Sequence, residues 1–91
     1  MSTYRFCVSV MPKPGILDPQ GRALEGSLPH LGVDSVHEVR VGRRVELSVD
    51  GASEGAARAV VERLADELFA NPLIESWSVE AMVRPALEAA R

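Results

Sequence analysis

A chain of 91 residues with 46 % apolar and 25 % charged side chains fits one globular domain with a modest core, since a domain of this size buries about 60–65 % of its unfolded surface; disordered and fibrous classes are excluded. Thirteen acidic against ten basic residues give a net charge of −3 without a basic stripe, so nucleic acid, which is held mainly by clustered Lys and Arg, is not an expected partner. A single cysteine, Cys7, excludes an internal disulfide or a Cys/His metal cluster, and no run approaches the roughly 20 apolar residues of a membrane span, so a reducing cytoplasm away from membranes is the expected location.

From Thr3 to Pro12, Tyr4, Phe6, Val8 and Val10 alternate with Arg5, Cys7, Ser9 and Met11, the period of a strand with one buried face. Pro12, Pro14 and Gly15 end it, because proline cannot donate to a ladder. Asp18 before Pro19 predicts a helix start: the carboxylate accepts from free first-turn amides, and proline needs no donor there. Leu24, Leu28 and Leu31 form one apolar stripe that Gly32 can terminate. Pro29 removes a helical hydrogen bond and predicts a kink or a tightened last turn near Leu28.

Val39, Val41, Val45, Leu47 and Val49 occupy odd positions between charged or polar even ones, which predicts two strands flanking a turn around Gly42 and Arg43. A three-residue loop, Gly42 to Arg44, would pair Val41 with Val45 and Val39 with Leu47. Ser53 is placed to cap a second helix with a stripe of Ala57, Val60, Val61, Leu64 and Leu68. Opposite charges at i, i+4 (Glu54 with Arg58, Arg58 with Glu62, Arg63 with Glu67) mark its solvated face. Asn71 and Pro72 stop it, and Ile74 to Val83 read as a last strand with Trp77 and Val79 on one face. The order strand, helix, strand, strand, helix, strand predicts an α+β, ferredoxin-like fold: an antiparallel sheet with two helices on one face, in a single domain over residues 1–83 with an Ala-rich tail at 84–91.

Catalytic signatures are absent from this pattern. His30 and His37 are the only usual bases, and neither sits in a nucleophile–base motif, so surface or capping roles are expected for both. Cys7 reads as a small buried or interface hydrophobe, and no glycine-rich phosphate loop follows a strand. The dense segment is Met11 to Gly21, where Pro12, Lys13, Pro14, Gly15, Asp18, Pro19 and Gly21 build a stiff connector that presents backbone groups and one cation at a sheet end.

The run Val10-Met11-Pro12-Lys13-Pro14-Gly15-Ile16-Leu17-Asp18-Pro19-Gln20-Gly21 closely resembles the opening signature of the PurS family, subunits of phosphoribosylformylglycinamidine synthase. Leu31-Gly32, Val39-Arg40-Val41-Gly42-Arg43 and Leu68-Phe69-Ala70-Asn71-Pro72-Leu73-Ile74-Glu75 follow in the family's order, so the resemblance covers most of residues 4 to 80. Arg43 departs from the lysine usual in relatives, and the tail runs past their usual end.

The resemblance implies a non-catalytic accessory subunit of purine biosynthesis, a homodimer with a tetramer as its further option, bridging a PurQ-like glutaminase and a PurL-like synthetase and supporting ammonia transfer. It implies no cofactor in this chain, with ATP, magnesium and glutamine used by the partners. Pro12, Lys13, Gly15, Asp18, Pro19, Gly21, Arg40, Gly42, Arg43, Asn71 and Pro72 lie at element ends within the matched motifs and are the expected interface or assembly-loop residues, with no catalytic or metal-binding residue among them. The alternative reading is an ACT-type regulatory domain, which shares the element order and binds a small ligand.

Overall fold

The computed structural model describes residues 1–83, so the 84–91 tail lies outside the described residues. The elements run β1 (Ser2–Pro12), α1 (Pro19–Ser27), a 3₁₀ turn (Leu28–Leu31), β2 (Arg43–Gly51), α2 (Glu54–Leu64), a π turn (Ala65–Phe69) and β3 (Glu75–Met82). An antiparallel sheet in the order β2-β1-β3 puts β1 at its centre. This is the α+β, ferredoxin-like arrangement, and its sheet has three strands among the described residues.

The period-two pattern of β1 decides the core. Phe6, Val8 and Val10 are fully buried on the face that receives α2, where Ala57, Val61 and Ala65 meet them. Trp77 and Val79 come from the same face of β3, while Val45, Leu47 and Val49 of β2 are only half-buried beside that core. Cys7 is also buried, on the opposite sheet face, in keeping with its reading as a small hydrophobe.

Both helices start where local chemistry places them. Asp18 caps α1 by accepting from the Gly21 amide at 3.1 Å with Pro19 in the first turn, and Ser53 caps α2 by accepting from the Ala56 amide at 3.1 Å. The last turn tightens to 3₁₀ geometry from Leu28, next to Pro29, and ends on Gly32 at φ 73°. Along α2 and into the π turn, Arg58–Glu62 and Arg63–Glu67 pair at 3.6 and 2.7 Å.

Two expectations are corrected. The Gly42–Arg44 hairpin is not formed: β2 begins at Arg43, and Val45 pairs with Val8, not Val41. Residues 33–42 form a crossover in place of the expected second strand, and two of its amides are taken by acidic side chains, one on α1 and one at its N-cap. Glu25 Oε1 accepts from Val39 N at 2.6 Å and Asp18 Oδ2 from Val41 N at 2.8 Å. The buried face of α2 is also rotated from the expected stripe: Ala57, Val61 and Ala65 are buried, whereas Val60 and Leu68 are exposed. The stripe written from sequence merged two adjacent rows of the helix, and only the row over β1 is covered.

Candidate functional site

Antiparallel pairing gathers the end of β1 and the starts of β2 and β3 at one end of the sheet, because Pro12 opposes Glu75 and Val10 opposes Arg43. The expected site residues lie at the strand ends gathered here, in the first turn of α1 and on the connections between them, and most of them fall into two hydrogen-bonded junctions.

The first junction joins β2, β3 and the end of α2. Arg43 forms a two-pronged pair with Glu75, Nη1 to Oε2 at 2.7 Å and Nη2 to Oε1 at 2.8 Å, and Nη2 also donates to the Phe69 carbonyl at 2.5 Å. The π turn brings that carbonyl into reach: the Ala70 amide bonds back to Ala65 at 3.0 Å, closing one wide turn before the chain reverses. Glu75 Oε1 accepts in addition from the Asn71 amide at 2.8 Å, and Asn71 Oδ1 accepts from the Leu73 amide at 3.1 Å, a side-chain-closed turn. Lys13 closes the junction from β1, its amide bonding to the Ile74 carbonyl at 2.8 Å and its Nζ to the Pro72 carbonyl at 2.6 Å. The guanidinium pair and the Asn71 amide hold the Glu75 carboxyl below the usual carboxylate range, and the Glu75 carboxylate raises Arg43 above its ordinary value.

The second junction joins α1 to the crossover. Hydrogen bonds from the Val41 and Gly21 amides, with Arg40 nearby, hold the Asp18 carboxyl below its ordinary value. Gly21 must lack a side chain, since a Cβ there would overlap the Val39 carbonyl and the Asp18 carboxylate. Gly42 is constrained likewise by the Val10 carbonyl and the Met11 sulfur. Gly15 turns the connector at φ 83°, and Glu38 adopts a left-handed φ of 57° at the entry to the Val39–Gly42 run, a conformation that costs a non-glycine residue about 1 kcal/mol or more.

Between the junctions lies a cleft of about 410 Å³, lined by Pro12, Ile16, Asp18 and Pro19 on one side and Arg43 and Glu75 on the other. A second cleft of about 580 Å³ opens beside it, with Lys13, Arg22 and Arg40 facing Asp18 and Glu38. Both are open, mixed-charge surfaces. Among the described residues, no group of three or more His, Cys, Asp or Glu side chains could hold a metal ion, and no helix is long and apolar enough to cross a membrane. His30 and His37 are exposed and lie outside both junctions.

The structure therefore gathers Lys13, Arg43, Asn71 and Pro72 into one junction and Asp18, Gly21 and Gly42 around the other, with Pro12, Gly15 and Pro19 on the connector. Arg40 is exposed at the cleft rim. Glu75 and Glu25 were missed as site residues. The position of Glu75 directly after the Asn-Pro turn was a usable signal, whereas nothing local to Glu25 announces a partner 14 residues away.

Residues 5–83 match the PurS family, described as phosphoribosylformylglycinamidine (FGAM) synthase. A PurS subunit of that synthase from Mycobacterium leprae is 40 % identical over 75 residues, 82 % of this chain and 91 % of the relative. One from Synechocystis is 35 % identical over 78 residues, covering 86 % and 78 % of the two chains. Among solved structures, a chain of PurLQS from Thermotoga maritima superimposes with a TM-score of 0.82 at 26 % identity, covering 90 % of this chain and all of that one.

Proposed function

This chain belongs to the PurS family of phosphoribosylformylglycinamidine synthase subunits, and on that premise we propose that it is the non-catalytic adaptor joining a PurQ-like glutaminase to a PurL-like synthetase. Glutamine hydrolysis and ATP- and magnesium-dependent chemistry belong to those partners, and this chain carries no cofactor of its own. It acts in the cytoplasm as a homodimer, with a tetramer as the further assembly.

Ammonia released at one active site must reach another without escaping to water, so the relative orientation of the two enzymes sets the yield of transfer. An adaptor serves this by being stiff where it is held. The observation that supports the reading is the Arg43–Glu75 junction, which ties the connections of all three strands into one hydrogen-bonded end. A surface ordered before binding loses little conformational entropy when a partner seats on it. The relative seen within PurLQS adds support from the assembly side.

Reconstitution with the purified glutaminase and synthetase tests the proposal. Glutamine-dependent formation of the amidine should require this chain, while ammonia-dependent formation by the synthetase should depend on it less. Equal glutamine-dependent rates with and without the chain would exclude the adaptor role.

A further inference from the structure

Resting on the adaptor role proposed above, we propose that the cleft between the connector and the crossover receives an acidic segment of a partner enzyme, its carboxylates against Arg22 and Arg40 and an apolar side chain beside Leu17. Unmatched charge singles this cleft out. Arg5, Arg43, Arg44, Arg58 and Arg63 each form an ion pair with a glutamate of the same chain. Among the described residues, the lysine and arginines without such a partner are Lys13, Arg22 and Arg40, and all three line this one cleft of about 580 Å³. The Lys13 Nζ donates to the neutral Pro72 carbonyl at 2.6 Å, so its charge is not matched there. Nor do the acids of the cleft neutralise the three cations. Asp18 has its oxygens taken by the Gly21 and Val41 amides, and Arg40 acts on it only through space. Glu38 stands exposed with no ion pair among the described residues, so positive charge exceeds negative here on a chain whose net charge is −3.

This surface is ordered before anything binds. Arg40 sits between two fixed amides, Val39 held by Glu25 at 2.6 Å and Val41 held by Asp18 at 2.8 Å. Arg22 stands in the first turn of α1, its amide bonded to the Asp18 carbonyl at 3.0 Å. Ile16 and Leu17 line both this cleft and its neighbour, so they form the ridge between the two, and they are 37 % and 65 % exposed. Gly15 at φ 83° and the Ile16 amide, bonded to the Lys13 carbonyl at 3.1 Å, fix the turn that carries the ridge. An apolar anchor ringed by charges has the anatomy of a protein contact, and arginine forks match carboxylates at two points. Small ligands are held in sites that enclose most of their surface, whereas this cleft is open, and nucleic acid needs a longer basic track than three side chains.

Titrating the full chain into the purified glutaminase and synthetase, with glutamine-dependent turnover as the readout, separates docking from other effects. The R22E/R40E chain should need at least about tenfold more protein for half-maximal turnover and still reach the native maximum. Arg63→Glu, which reverses an exposed arginine outside the cleft, should match the native chain. Raising salt from about 50 to 300 mM should weaken the native chain more than the double variant. Two single variants guard against a double variant that fails to fold. A glutamate at position 22 suits the helix dipole, and Arg40→Gln removes charge without repelling Asp18. With native far-UV circular dichroism, R22E and R40Q should each shift half-saturation by about threefold or more. Unchanged half-saturation in these variants, or an equal shift with Arg63→Glu, overturns the proposal while the adaptor role stands. So does a lower maximum at unchanged half-saturation, which would make the cations serve a small anion in the reaction. A mass by light scattering that differs from the native chain's would make the cleft a contact between copies and also overturns it. No activation by the native chain removes the adaptor role and this proposal together.

Discussion

Asp18 and Val41 are 23 residues apart, yet the Oδ2 of the first accepts from the amide of the second at 2.8 Å while Oδ1 caps the helix at Gly21. One carboxylate thereby starts α1 and fixes the crossover beside it. Its two oxygens do different work, and only the capping half is local in sequence.

Asp18→Ala removes both acceptors and should free the crossover while leaving the sheet intact. The amides of Gly21 and Val41 should lose hydrogen-exchange protection, and those of Phe6 and Val8 in β1 should keep theirs. Retained protection at Val41 would show that the crossover is held by something other than this carboxylate.

Arg43→Lys keeps the charge but cannot reproduce a planar fork that serves both Glu75 oxygens and the Phe69 carbonyl. Because the pair is partly solvated, the melting temperature should fall by only a few degrees. Arg43→Glu places like charges at the junction and should weaken both stability and glutamine-dependent activity of the reconstituted complex. An unchanged complex would remove Arg43 from the assembly surface.

Acidification should loosen both junctions. The folded-state values of Asp18 and Glu75 lie below their ordinary ones, so near those values the unfolded chain binds more protons than the folded one. Their contribution is complete above the ordinary carboxylate range of about 4 and is lost as pH falls through the lowered folded values. Urea midpoints measured from pH 7 down should decline in that window, and the decline should shrink in a chain carrying Asp18→Asn and Glu75→Gln.

The glycines separate by what surrounds them. Gly21→Ala and Gly42→Ala drive a methyl group into backbone carbonyls and should each cost about 1–3 kcal/mol. Gly26→Ala, in α1 with open space around it, should stabilise the helix by about 0.5–1 kcal/mol. Chemical denaturation of the three variants checks the sign of each change.

Much of this molecule is written in short-range chemistry. The alternation of Phe6, Val8 and Val10, the caps at Asp18 and Ser53, the tightening before Pro29 and the stop at Asn71-Pro72 all depend on neighbours a few residues away, so composition and spacing determine them. The density of prolines and glycines from Met11 to Gly21 likewise marked the connector that forms the sheet-end cleft.

Tertiary structure alone decided what each extended segment pairs with. Val39 and Val41 carry the same alternation as Val45 and Leu47, since that pattern reports which side chains share a face and says nothing about where the amides go. Those amides went to Asp18 and Glu25, and the expected strand became a crossover. The Arg43–Glu75 fork and the half-buried row Val45, Leu47 and Val49 of β2 have the same origin: each is set by which distant surfaces meet, and a chain this small has little surface to spare for covering every apolar side chain.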